Sequence, residues 1–246
     1  MSQFQQTTIP IGELEVNGYL ATAQTNDTRA GVVVIHEIEG LTEHFGNLCS
    51  RLAEAGYSAI APDLFARDSR IVDDVAAGDY GSAVHRVYEL GPERLLGDLK
   101  SARDTLVRHS EVDPSKVAVI GFCLGGYLTL LAATDPDGGW AAAAPFYGPP
   151  AGYGAFGVSD EPNPLTRAEN LSCPTRLFYG RHDDHIPAEL ALEFASRAKS
   201  SGQPVEVVLE DAGHAFFNDS RPTYVEPAAT HAWTELLTFL DNTFKE

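Results

Sequence analysis

The sequence predicts an α/β fold: a mainly parallel central sheet flanked by helices on both faces, with an antiparallel hairpin at the N-terminus. Three observations predict it. Short β-branched runs alternate with amphipathic segments along the 246 residues, the order that gives parallel strands linked by helices. Gly121-Phe122-Cys123-Leu124-Gly125-Gly126 stands between the strand-like run Lys116-Val117-Ala118-Val119-Ile120 and the helix-like run 127–133. Two further polar loops, around Asp183 and His214, also begin just past strand-like runs. In an open parallel sheet the C-terminal strand ends converge on one edge, where ligands bind.

The elements follow in order. Residues 7–23 alternate apolar and polar positions around Asn17-Gly18, which suggests the hairpin. Next come a strand over 32–35, a helix over 43–55 and a strand over 57–62. The stretch 67–88 is polar and reads as irregular, with room for one short helix. Residues 92–109 carry Leu95, Leu96, Leu99, Ala102 and Leu106 near the 3.6-residue period of a helix, which Asp113-Pro114-Ser115 stops. A strand over 141–147 leads into 148–161, rich in Gly and Pro and the most loop-like segment. Arg176-Leu177-Phe178-Tyr179 reads as a strand, and Pro187 stands where a helix over 188–199 begins, its missing N–H costing nothing there. A strand over 205–209 and a helix over about 224–244, with Ala229, Trp233, Leu236, Leu237 and Leu240 on one face, complete the chain. No repeat or long linker divides it, so a single domain over 1–246 is expected.

Composition narrows the function. A net charge of −18 argues against nucleic acid or anionic membranes as partners, since both select clustered Lys and Arg. The first residues lack the basic and apolar regions of a secretory signal, and no apolar run is long enough to span a bilayer. Cys49, Cys123 and Cys173 lack metal-type spacing, and their odd number suits a reducing compartment. A cytoplasmic location, a small-molecule substrate, and neither cofactor nor metal are the expectations.

Gly-x-Cys-x-Gly between a strand and a helix is the nucleophile-elbow pattern with Cys in place of Ser. The turn lifts its central side chain above the sheet and aims the first helical N–H groups at whatever that side chain attacks. The chain order nucleophile, acid, His is that of the α/β-hydrolases. A free thiol is only a few per cent thiolate at neutral pH and needs a base. His214 is the candidate base, and an Asp would hold its other ring nitrogen. Asp183 and Asp184 both compete for that place. His182, Asp183, Asp184 and His185 also invite a metal reading, but no further His or Cys is placed to complete a shell. The oxyanion donors expected are the backbone N–H of Leu124 and one from the loop after strand 32–35.

The chain resembles the dienelactone hydrolase family over nearly its whole length. Four segments carry the likeness: His36-Glu37-Ile38-Glu39-Gly40, Ala61-Pro62-Asp63-Leu64-Phe65-Ala66-Arg67, the Cys elbow, and the paired Asp183 and His214 segments. The resemblance implies Cys123, Asp183 and His214 as a catalytic triad, with Asp183 preferred over Asp184. It implies Ile38 as the second oxyanion donor and Glu37 as a carboxylate that contacts the thiol and gates it. The implied activity is hydrolysis of carboxylic esters or lactones of the dienelactone (carboxymethylenebutenolide) type through a thioester acyl-enzyme. Members that cleave dienelactone hold its carboxylate with arginines. One of these normally lies four residues after the triad His, where this chain has Asn218. Arg221 and Arg86 are the substitutes in view, each equally readable as a solvated surface residue. Two alternatives stay open: a non-hydrolytic redox-sensing or ligand-binding protein on the same fold, and a thioesterase or acyl transferase using the same triad.

Overall fold

The computed structural model describes residues 4–11, 14–24, 29–152 and 163–244. They form two compact units, the first running to Val117 and the second taking Ala118–Gly152 and the chain from Asn163 onward.

In the first unit the strands lie in the order β1-β2-β4-β3, with β1 over Gln5–Ile11, β2 over Leu14–Ala21, β3 over Gly31–Ile35 and β4 over Ser58–Pro62. β1 and β2 are antiparallel, β2 runs antiparallel to β4, and β3 and β4 are parallel. The predicted hairpin is present, but Asn17-Gly18 lies inside β2, opposite Thr8 and Thr7. Gly18 is there for close approach rather than for turning: a Cβ would overlap the Ile9 side chain and come within 3.0 Å of the Ala61 carbonyl oxygen. The connection between the two strands, residues 12 and 13, lies outside the described residues.

Every residue of β3 and β4 is buried, the near-continuous apolar pattern of strands covered on both sides. Helix α1 (Glu43–Glu54) buries Phe45, Leu48 and Leu52. Helix α4 (Pro92–Ser110) buries Leu95, Leu99, Ala102 and Leu106. The stretch read as irregular holds two helices, α2 (Arg70–Ala76) and α3 (Tyr80–Leu90). Asp79 caps α3 by accepting the Ser82 N–H at 3.0 Å, while Ala83, Val84 and Val87 form a narrow buried stripe. That stripe is too short to stand out from the polar residues around it.

The second unit contains β5 (Val117–Phe122), β6 (Ala142–Phe146), β7 (Thr175–Gly180) and β8 (Val205–Glu210), all parallel and adjacent in chain order. Helix α5 (Leu124–Ala133) is buried at every position, as its all-round apolar sequence requires. A short helix α6 (Pro164–Arg167), then α7 (Ala188–Ala198) and α8 (Glu226–Phe244) complete the unit. Segment 153–162, most of the predicted Gly- and Pro-rich loop, lies outside the described residues. Phe122, Phe146 and Phe178, on three neighbouring strands near their C-terminal ends, pack ring on ring. Phe146 and Phe178 are stacked at 4.3 Å, and Phe122 and Phe146 lie 4.6 Å apart. Phe217 closes on Phe122 at 5.4 Å. Offset aromatic pairs at these spacings add to the stability of simple burial, and they give the strand ends a rigid floor. No helix among the described residues is long and apolar enough to cross a membrane.

Candidate active site

β5 ends at Phe122 and α5 begins at Leu124, so one residue, Cys123, makes the whole turn. Its backbone has φ 52° and ψ −112°, a conformation that costs a side-chain-bearing residue of order 1–3 kcal/mol and persists only where the surroundings impose it. They do. The Cys123 N–H donates to the Phe146 carbonyl and the Tyr127 N–H to the Cys123 carbonyl, each at 3.0 Å. A Cβ at Gly121 would stand 2.5 Å from both the Gly125 carbonyl carbon and the Thr129 Oγ1, so strand and helix approach as only glycine allows. Leu124 opens the helix, where first-turn N–H groups have no intrahelical partner.

Asp183 and His214 stand past the ends of β7 and β8. Asp183 is buried, and its Oδ1 accepts the backbone N–H groups of His185 and Ile186, both at 2.9 Å. Its Oδ2 lies 2.8 Å from His214 Nδ1, and His214 Nε2 lies 3.3 Å from Cys123 Sγ. Three side chains from three strand ends thus form one continuous line, carboxylate to imidazole to thiol. Asp184 is exposed. Two further rings flank the imidazole edge-on: Tyr147 at 5.1 Å and the exposed His185 at 5.3 Å. Among the described residues no group of three or more His, Cys, Asp or Glu is placed to hold a metal ion.

The charges support one another. Burial works against a charged His214, yet its hydrogen bonds to Asp183 and Cys123, with the charge a thiolate at Cys123 would carry once its proton has passed to the ring, outweigh it and raise its pKa to about 10. For Asp183, burial pushes the carboxyl up. The His214 hydrogen bond and charge, with the two backbone N–H donors, outweigh it and hold the pKa below the usual value. The other thiols differ. Burial raises Cys49 well above an ordinary thiol and Cys173 to about 12, which leaves both protonated and unreactive.

Glu37 and Ile38 belong to the first unit, in the loop after β3, and both are buried. Sequence reading missed the role of the preceding residue. His36 is buried, its Nε2 accepts the Leu64 N–H at 3.1 Å, and its Nδ1 lies 2.7 Å from the Glu37 carbonyl. Because the Leu64 N–H can only donate, the ring proton sits on Nδ1 and donates to that carbonyl. Burial lowers the His36 pKa and keeps the ring neutral. The Gly40 N–H shares the same acceptor at 3.1 Å, so the loop that carries Glu37 and Ile38 is fixed from both sides. A His directly after an all-apolar strand was the available signal. The segment that clamps it is fixed in turn: Arg67 makes a two-point ion pair with the buried Asp98, at 3.0 and 2.9 Å.

The two candidate arginines sit in different settings. Arg86, on α3, donates from Nε to Asp74 of α2 at 2.6 Å and lies 3.8 Å from Asp68, so it joins two helices. Arg221 is half-buried, and its N–H donates to the Asn218 carbonyl at 3.0 Å. Asn218 itself is buried and accepts from the Ser220 N–H at 3.0 Å and the Ser220 hydroxyl at 2.6 Å. It shapes the turn four residues after His214.

A parallel sheet with an elbow at β5 and polar loops after β7 and β8 is the fold of the α/β-hydrolases. Within that class the chain belongs to the dienelactone hydrolase family, whose model matches residues 16–244, and members of the family are hydrolases acting on ester or lactone bonds. A Yersinia pestis protein provisionally named carboxymethylenebutenolidase is 33% identical over 236 residues, covering 94% of this chain and 85% of that protein. A Salmonella typhimurium protein of the same provisional name is 32% identical over 234 residues, covering 94% and 84%. The crystal structure of a Klebsiella pneumoniae protein, provisionally described as a dienelactone hydrolase, superposes with a TM-score of 0.84 at 30% identity, covering 96% of this chain and 97% of that one. A Pyrococcus furiosus esterase shares the fold at 16% identity and a TM-score of 0.70, covering 99% and 92%.

Proposed function

We propose that the chain hydrolyses carboxylic esters or lactones through Cys123 as nucleophile, His214 as general base and then acid, and Asp183 as the group that fixes the imidazole. The observation that carries this reading is the unbroken line from Asp183 Oδ2 through the His214 ring to Cys123 Sγ, at 2.8 and 3.3 Å. As Sγ attacks the substrate carbonyl carbon, its proton passes to Nε2. The resulting imidazolium is stabilised by the Asp183 carboxylate. The tetrahedral oxyanion is held by the Leu124 N–H and, following the family resemblance, by the Ile38 N–H. Collapse breaks the carbon–oxygen bond, and the leaving alkoxide takes the proton from His214, leaving a thioester. Water, deprotonated by the same nitrogen, attacks the thioester, and the acid and free thiol are released. Glu37 enters through the same resemblance, as the carboxylate that keeps the resting thiol neutral until substrate arrives. Arg86 is a candidate for a substrate carboxylate only if its Asp74 and Asp68 partners exchange, and Arg221 is the second candidate. We therefore place the substrate class at small esters and lactones, with carboxymethylenebutenolide one member to test.

The test is a panel of lactones, short aryl esters and thioesters against wild type and Cys123→Ala. Turnover of esters or lactones that vanishes in the variant, together with a thioester adduct on Cys123 by mass spectrometry, supports the reading. Turnover that persists in Cys123→Ala overturns it.

A further inference from the structure

Tyr179, on β7, takes no part in the chemistry described above. It is wholly buried, and its hydroxyl donates to the carbonyl of Gly148. One residue earlier on each strand, the Tyr147 N–H donates to the Phe178 carbonyl at 2.8 Å. The backbone leaving β6 is therefore tied to β7 at two successive points.

This short strap, residues 146–148, touches both ends of the Cys123–His214 pair. Its Phe146 carbonyl accepts the Cys123 N–H. Its Gly148 lies flat against the first turn of α5: a Cβ at Gly126 would stand 2.5 Å from the Phe146 oxygen and 2.8 Å from the Gly148 Cα. Its Tyr147, held at φ 37°, presents its ring edge-on to His214. A positive φ in a bulky residue is strain that the surroundings must hold, and the two ties to β7 hold it.

We propose that Tyr179 is a positioning residue. Through the Gly148 carbonyl, its hydroxyl sets where the strap stands, and so how closely Cys123 Sγ meets His214 Nε2. The inference rests on the reading of that pair as nucleophile and base. Burial and the nearby Asp183 charge both raise the phenol's pKa, which keeps it a donor across the working range of pH. Tyr179→Phe keeps the ring and its packing and removes only the tie.

Three measurements on Tyr179→Phe test the proposal: kcat and KM on an aryl ester, the pH profile of iodoacetamide addition to Cys123 by intact mass, and the melting temperature. Misplacing reacting groups by a fraction of an ångström lowers rate more than binding, so kcat falls about tenfold while KM stays within about twofold. Alkylation at neutral pH slows several-fold, and its pH profile departs from that of wild type. Leu240→Val, which opens a small cavity at a buried position of α8, supplies the comparison. It lowers the melting temperature and leaves kcat and the alkylation profile unchanged. Wild-type kcat and alkylation in Tyr179→Phe would overturn the proposal, as would equal losses in Leu240→Val. If Cys123→Ala instead retains turnover, the nucleophile assignment fails. The alkylation profile still reports on Tyr179, because it reads the thiol–imidazole pair without any ester.

Discussion

Replacing Asp183 by Asn changes one atom and, on this geometry, reverses the role of His214. Asp183 Oδ1 accepts two backbone N–H groups, from His185 and Ile186, at 2.9 Å each. The Asn oxygen must take that place, since an NH2 group there would face two donors. The amide nitrogen is then turned toward His214 Nδ1, where it donates. The imidazole answers by moving its proton to Nε2, facing Cys123 Sγ, and it no longer accepts the thiol proton. Restoring the base requires turning the amide over and stranding the buried Ile186 N–H and the part-buried His185 N–H, at about 1–3 kcal/mol each. The sum of about 2–6 kcal/mol corresponds, at about 1.36 kcal/mol per decade, to a fall of about 30-fold to 10⁴-fold in rate. The assay is kcat/KM on an aryl ester beside Asp184→Asn, which alters an exposed carboxylate and retains near wild-type activity. An Asp183→Asn enzyme with more than a third of wild-type activity, or a loss appearing in Asp184→Asn instead, would refute the argument.

Other expectations follow from the same contacts. Glu37→Gln removes a carboxylate that opposes a second negative charge nearby, so turnover slows while iodoacetamide reacts faster without substrate; unchanged rates of both would discard the gating role. Arg67→Ala strands the Asp98 carboxylate, only 6% exposed, and lowers unfolding stability by about 3–5 kcal/mol in urea titrations. The depressed pKa of Asp183 contributes stability above its unfolded value of ~3.9 that is lost as pH falls through the folded value. The melting difference between wild type and Asp183→Asn therefore shrinks below about pH 4. The raised pKa of His214, about 10, acts in the opposite direction. Its contribution is complete below ~6.5 and is lost as pH rises through about 10, so His214→Gln melts with a flatter alkaline limb.

Much of the fold was legible because burial leaves a simple mark. The strand runs before Cys123, Asp183 and His214 are mostly apolar or β-branched, and each candidate side chain follows one within a few residues. Asn17-Gly18 misled because the dipeptide that favours a hairpin turn also suits a strand that must let Ile9 approach. The helices α2 and α3 were hidden by a mostly exposed, polar surface, held together by the Arg86–Asp74 pair rather than by a broad apolar face. That pair is also why Arg86 could not be weighed from sequence, since a solvated arginine, a substrate-binding one and a structural one are written with the same letter. His36 and Tyr179 escaped for a related reason. Each acts through a hydrogen bond to a backbone group far off in the chain, Leu64 for one and Gly148 for the other, and such partners leave no spacing rule behind.

The contact between Gly126 and Gly148 bears on how this protein can be altered. Two main chains meet there with no room for even a methyl group, so a saturation library at either position returns glycine or loses the elbow. Activity gained by directed variation has to come from elsewhere. Helices α2 and α3 offer open positions: Val72 and Tyr80 are 40% and 42% exposed. A library that varies the exposed positions of 70–90, spares the buried Ile71, Ala83, Val84 and Val87 together with the Asp74–Arg86 pair, and holds 121, 126 and 148 constant places its diversity where the chain can accept it.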